Sequence, residues 1–228
     1  MEITVEPLAQ DDIDIYTKIY WDAFNPLEAN MILPMIYPLG LQPDLNERLR
    51  KRIWKAMSDP VNDFSCARDT ATGEVVGVSW WKRVDNPPAN QRELDEQYRE
   101  AKASRNAGIE VEGMNHKLED AFFHAAFYSE AETMGHHAYM TLKLLAVRPN
   151  YARKGVGSVL LGHGLKRLDQ RDLPGFIHAG VQAKALYERY GFVEVGEMPC
   201  NALAFGGRSD GRHWCMVRTS RSQRPVEA

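Results

Sequence analysis

The chain has no basic excess: 28 Lys and Arg stand against 31 Asp and Glu, a formal charge of -3. A nucleic-acid partner is therefore not expected, because such binding rests on neutralising phosphates. Long apolar runs are also missing; no window approaches the ~18 uninterrupted apolar residues of a spanning helix, so no membrane partner is expected. Cysteine is scarce, with Cys66, Cys200 and Cys215 in no metal-type spacing. An odd number of this kind reads as reduced thiols rather than a disulfide framework. The first residues, MEITVEPLAQDDID, lack the basic start and apolar stretch of a secretory signal, and the location expected is cytoplasmic. No internal repeat is evident. What is present is ordinary for a globular protein: 228 residues, 44% hydrophobic and 26% charged, enough for one well-buried core.

Periodicity orders the chain. Ile3 to Pro7 alternates as a strand, and Asp11 or Asp12 can cap a helix reaching Phe24. Pro26, Pro34, Pro38 and Pro43 break the next stretch, whose apolar residues imply that it packs. Asp44 followed by Glu47 suggests a capping box for a helix to Met57, with Leu45, Leu49, Ile53 and Trp54 on one face. Asp63 to Asp69 and Glu74 to Lys82 read as a hairpin closed at Gly73. Residues 86–134 change character, giving a charged helical pattern near 91–105 and a second near 115–133, and are read as a helical insertion. Tyr139 to Val147 is a strand, followed by a loop, a helix from Ser158 to about Gln170, a short strand FIHAG, and a helix AKALYERY ended by Gly191. Phe192 to Glu197 and His213 to Arg218 read as closing strands, with a polar tail at 221–228. The domain expected is single, 1–220, of mixed α/β (α+β) class.

Chemistry concentrates between the 139–147 strand and the helix after it. Gly155 and Gly157 let backbone approach a ligand closely, and a helix start offers unpaired N–H groups of partial positive charge. Arg153 and Lys154 add two cations, so the segment suits a polyphosphate. No G-K-S/T follows, nor a third glycine with a downstream ribose-binding acid, which sets aside the P-loop and dinucleotide patterns.

The stretch LKLLAVRPNYARKGVGSVLLGHGL resembles the central motif of the GNAT acetyltransferases, a strand ending in an L-A-V-type segment followed by a Q/R-x-x-G-x-G/A loop. AKALYERYGF is similar to that family's A-x-x-L-Y-x-x-x-G-F. The resemblance implies a mixed central sheet of about seven strands flanked by helices, with the helical insertion between strands 3 and 4. It implies acetyl-CoA as acyl donor, with pantetheine on the backbone of Leu145, Ala146 and Val147 and pyrophosphate on Ala152, Arg153, Lys154, Gly155, Val156, Gly157 and Ser158. It makes Tyr187 the acid that protonates the leaving thiolate. Ala152 departs from the motif's Q/R, and Gly180 from the family's frequent Asn or Ser.

An amine acceptor must lose a proton before attacking a thioester. His178, on the fifth strand of such a fold, is the candidate base, with Glu28, Glu130, His136 and His137 as others. Trp80 and Trp81 face opposite sides of one strand; Trp81 and Phe24 are taken as acceptor contacts, with the insertion as a lid. His116, His124, His136 and His137 lack a completing Cys or carboxylate, so no metal is expected. A small-molecule amine is favoured over a protein substrate, on a monomer or homodimer. The rival reading is a catalytically weak acyl-CoA-binding sensor or a partner-binding module.

Overall fold

A computed structural model describes residues 1–24, 32–106, 108–205 and 212–224. β1 (Ile3–Pro7), β2 (Asn62–Asp69), β3 (Val75–Val84) and β4 (Tyr139–Val147) form an antiparallel meander. β5 (Gly175–Gly180) runs parallel to β4, and β7 (His213–Arg218) lies between β5 and β6 (Val193–Glu197). The order is β1-β2-β3-β4-β5-β7-β6, a mixed seven-stranded sheet.

Helices cover both faces. α1 (Ile13–Phe24), α2 (Ile32–Ile36) and α3 (Pro43–Met57) precede β2; α4 (Gln91–Asn106) and α5 (His116–Met134) make up the insertion; α6 (Val156–Gln170) and α7 (Lys184–Arg189) follow β4 and β5. On one face Ile13, Tyr16 and Ile19 of α1 and Ile53 of α3 pack on Phe64 and Val78, and α5 spans β5 and β7. On the other, Leu161, Leu165 and Leu168 of α6 pack on Trp81, Leu142 and Ile177.

Which tryptophan faces which layer is set by a bulge. Trp80 pairs with Leu144 and Trp81 with Leu142, leaving Lys143 opposite no residue. Trp81 is 1% exposed beneath α6. Trp80 lies on the α1–α3 side, stacked on Phe64 at 5.0 Å with its Nε1 donating to Asn62 Oδ1. Gly164 makes the Trp81 position possible: a Cβ there would sit 2.0 Å from Trp81 Nε1. Gly164→Ala is expected to lower stability by about 1–3 kcal/mol despite better helix propensity, read as a fall in the urea midpoint; an unchanged midpoint would contradict this packing.

Local signals were partly overruled. α3 starts at Pro43 with Gln42 as N-cap, not at Asp44. The Asp44 carboxylate accepts from its neighbour Leu45 N and from Glu112 N across the fold, both at 2.7 Å, so it ties the insertion to α3. Trp54, expected on the buried face, is 54% exposed. α6 begins at Val156 rather than Ser158, because Gly155 at φ +87 already acts as the N-cap.

Candidate active site

β4 and β5 pair only at Met140–Leu142 with Gly175–Ile177. Beyond that point β5 stays with β7 and β4 stays with β3, so the two parallel strands part. The edge of Lys143–Val147 facing the gap has no strand partner, leaving backbone groups to be satisfied by something else. Ala146 is buried toward α1, whereas Leu145 and Val147 are half-buried toward α6.

At the mouth of the gap the chain turns through Pro149–Tyr151 and enters α6 with two left-handed residues, Arg153 at φ +60 and Gly155 at φ +87. Such alternation turns successive N–H groups toward one point, and the first turn of α6 adds its own unpaired N–H groups. Arg153 and Lys154 are exposed, and Lys154 lies 5.3 Å over the Tyr151 ring. Val156 is buried, so it can contribute only backbone, and the side chain of Ala152 is exposed and neutral. A Cβ on Gly157 would lie 3.7 Å from Leu186 and 3.8 Å from Val147, ordinary contact. The residues therefore fit a polyphosphate approached by backbone. Gly157→Ala is expected to leave thermal stability unchanged while weakening acetyl-CoA binding about 10-fold or more, measured by calorimetry. Equal weakening of stability and binding would count against this.

Tyr187 and His178 lie in opposite layers of the fold. Tyr187, on α7, is 6% exposed and packs edge-on to Phe192 at 6.0 Å. Its hydroxyl hydrogen-bonds no described group, and burial pushes its pKa far above the ordinary phenol range. On β5, Ile177 and Ala179 point at α6, so His178 points at α5, with Nε2 3.0 Å from Ser129 Oγ. Burial pulls the imidazole down to about 4; Glu130 opposes this, and Lys143 and His213 reinforce it.

Glu130 sits beside it, accepting from Lys143 Nζ at 2.7 Å, Tyr139 Oη at 3.1 Å and Thr141 Oγ1 at 3.3 Å. Burial pushes its pKa up, but Lys143, His178 and the bonds from Lys143 and Tyr139 outweigh that and hold the carboxylate below its usual range. The link from Lys143 depends on the β4 bulge, which sequence spacing does not reveal.

Other expected site residues are placed elsewhere. His136 is exposed and bonded to Pro88 O at 2.8 Å, and His137 is exposed. Glu28 lies outside the described residues. Trp81, taken above as an acceptor contact, is buried under α6, and Trp80 occupies the α1–α3 side instead. Phe24 is half-buried on that side, 5.6 Å from Tyr20. Among the described residues there is no grouping of His, Cys, Asp and Glu that could hold a metal, and no helix long and apolar enough to cross a membrane.

His178 also leaves a thermodynamic signature. Its pKa is about 4 folded and near 6.5 unfolded, so between those values the unfolded chain binds more protons and stability rises with pH. Melting temperature is expected to fall as pH drops below about 6.5. Half-buried His163 acts in the same direction, so the test is the difference: His178→Gln should flatten the slope, and an unaltered slope would refute the assignment.

A mixed sheet parted between its parallel strands, with a glycine-led helix start at the opening, is the architecture of the GNAT fold. The model of the acetyltransferase (GNAT) domain matches residues 93–202, so the chain carries a GNAT acetyltransferase domain over that stretch. A Corynebacterium glutamicum protein described as histone acetyltransferase HPA2 and related acetyltransferase is 22% identical with TM-score 0.60, covering 100% of both chains. A mosquito arylalkylamine N-acetyltransferase like 5b is 16% identical with TM-score 0.65 over 95% of this chain and 99% of that one. A Sinorhizobium meliloti phosphinothricin acetyltransferase in complex with AcCoA is 14% identical with TM-score 0.56 over 100% and 95%. At these identities the likeness is one of fold. No curated protein sequence matches the chain.

Proposed function

We propose that the chain transfers an acetyl group from acetyl-CoA to the amine of a small molecule by direct attack, with His178 as base and Tyr187 as acid. The observation that supports this is the parting of β4 from β5 after Leu142 and Ile177, with His178 next on β5 toward α5 and Tyr187 in the core on the opposite, α6 side. The donor enters on the α6 side, its pyrophosphate against the N–H groups of Gly155 to Ser158 and its pantetheine along the free edge of Leu145 to Val147. The acceptor enters on the α5 side.

With Nε2 held by Ser129, Nδ1 of His178 is the nitrogen left to take the ammonium proton; the depressed pKa keeps the ring neutral and ready at neutral pH. The free amine attacks the thioester carbonyl, and the oxygen charge that develops is met by backbone N–H at the end of β4, near Val147. Collapse breaks the C–S bond, Tyr187 gives its proton to the departing sulfur, and the nitrogen releases its second proton to water, yielding amide and free thiol. A proton returned from His178 through water restores both groups. Glu130 fixes Lys143 and lies close enough to favour the imidazolium once it forms.

The likeness in fold to a mosquito protein named arylalkylamine N-acetyltransferase like 5b is in keeping with a small amine acceptor. Thiol release from acetyl-CoA, followed with a thiol-trapping reagent across a panel of amines, tests the reading. Amine-dependent release is expected; tight donor binding with no release on any amine would sink the transfer, and absence of donor binding would sink the site.

A further inference from the structure

The acceptor side carries more positive charge than an ammonium substrate should meet. Arg52, on α3, is half-buried with its guanidinium 5.7 Å from the centroid of the Trp80 ring and 5.7 Å from that of Phe123. Two arginines near it are differently used: Arg48 is bonded to Glu119 at 2.6 Å and Arg105 to Asp120 at 3.2 Å. Arg52 has no carboxylate partner among the described residues. Two flanking aromatic faces hold a guanidinium in place without consuming its donors, which stay free for an anion.

Lys82 repeats the pattern. It follows Trp80 by two residues on β3, so it shares that face of the sheet, and it is half-buried with no hydrogen-bonded or ion-paired partner among the described residues. Burial, with Lys143 second, draws its pKa down, against Glu130 and Asp59. Lys143 is the third cation on this face, and Glu130 neutralises it at 2.7 Å. His178 is neutral above about pH 4. Among the described residues, Arg52 and Lys82 thus have no ion-pair partner on the face where the acceptor enters. Holding two such cations half-buried costs free energy that an anion from outside would offset.

Building on the acetyl-transfer reading, we infer that the acceptor is an amine that also carries a carboxylate, with Arg52 and Lys82 as the residues that select it. The amine lies at His178 on β5 and the carboxylate against Arg52 and Lys82 on the β3 side, two strand spacings or about 10 Å away. Arginine offers a planar fork that matches a carboxylate at two points. The same charges disfavour diamines and polyamines, whose second ammonium would be placed against Arg52.

A short ω-amino acid, the alkylamine of equal length and the matching α,ω-diamine separate the possibilities when their kcat/KM values are compared. The amino acid is expected to lead the other two by about 10- to 100-fold, the range of a charge-assisted pair. Arg52→Gln and Lys82→Gln should each cut that lead about 10-fold, mainly through KM, and Arg52→Glu should turn the preference toward the diamine. Lys55→Gln, an exposed position on the same helix, should leave the lead as it is. A lead for the diamine or alkylamine, or one untouched by Arg52→Gln, overturns the inference. Calorimetry of the three ligands on the CoA-loaded protein reads the same preference without turnover. It keeps the inference testable if no amine is acetylated, the outcome that defeats only the transfer reading. If Arg52→Gln does not fold, Lys82→Gln carries the comparison.

Discussion

Tyr187→Phe is expected to lower kcat by about 100- to 10,000-fold, the contribution of a positioned general acid, with little change in the affinity for acetyl-CoA. The substitution removes one oxygen from a hydroxyl that bonds no described group, and it keeps the ring that packs on Phe192. Folding stability should therefore stay within about 0.5 kcal/mol of the parent, so a lost rate cannot be assigned to a lost fold. Two further readouts follow from the burial of this phenol. Its raised pKa keeps it protonated across the ordinary range, so the parent rate should show no alkaline fall near pH ~10, where an unperturbed tyrosine titrates. Acyl acceptors of equal basicity should be slowed alike, because the defect lies in expelling the thiol. A kcat within about threefold of the parent, against the hundredfold minimum of acid catalysis, would remove Tyr187 from the reaction.

How much of this was legible depended on where the information sits. Strands β1, β4 and β7 fall on the residues expected for them. The turn into α6 was readable because a left-handed residue favours glycine, and Gly155 records that need locally. The end of the helix that carries Tyr187 was readable for a similar reason, since Gly191 at φ +83 fixes where it stops. The acceptor side left no such mark. Opposite faces for Trp80 and Trp81 follow from strand geometry, but which one faces α6 is settled by the unpaired Lys143 in β4 and by Gly164 eighty-odd residues along. Arg52 looks like any solvated arginine on a charged helix until the fold brings Trp80 and Phe123 to its sides. Glu130 could be suggested as one carboxylate among several, yet its partners Tyr139, Thr141 and Lys143 lie on a strand whose register no local pattern discloses.

The insertion is joined to the rest of the fold by a buried charge, which makes Glu119→Ala the most damaging single change expected. Glu119 Oε1 accepts from Arg48 Nη2 at 2.6 Å and from Tyr37 Oη at 3.1 Å, with the Arg48 and Glu119 side chains 4% and 3% exposed. Arg105 adds its guanidinium at 3.7 Å and stacks on Phe123 at 4.3 Å. One carboxylate on α5 thus gathers α3, α4 and the residue following α2. Removing it leaves Arg48 buried with only the Arg105 carbonyl at 3.4 Å, Asn106 Oδ1 at 3.1 Å and Met114 Sδ at 3.0 Å, none of which carries a charge. Breaking a buried pair from one side costs about 3–5 kcal/mol, roughly 10 °C in melting temperature for a chain of this size. Glu119→Gln should cost less, since it retains an acceptor for Tyr37 and Arg48. The double change Arg48→Met with Glu119→Leu should recover most of the loss, because Arg105, the cation that remains there, keeps its pair with Asp120. Hydrogen exchange in α4 and α5 should rise in Glu119→Ala more than in β2 and β3, as the insertion loosens from α3 before the sheet opens. If Glu119→Ala costs under about 1 kcal/mol, the value of an exposed pair, the insertion is held by its apolar contacts alone, and Arg52 would keep its place beside Phe123 without this anchor.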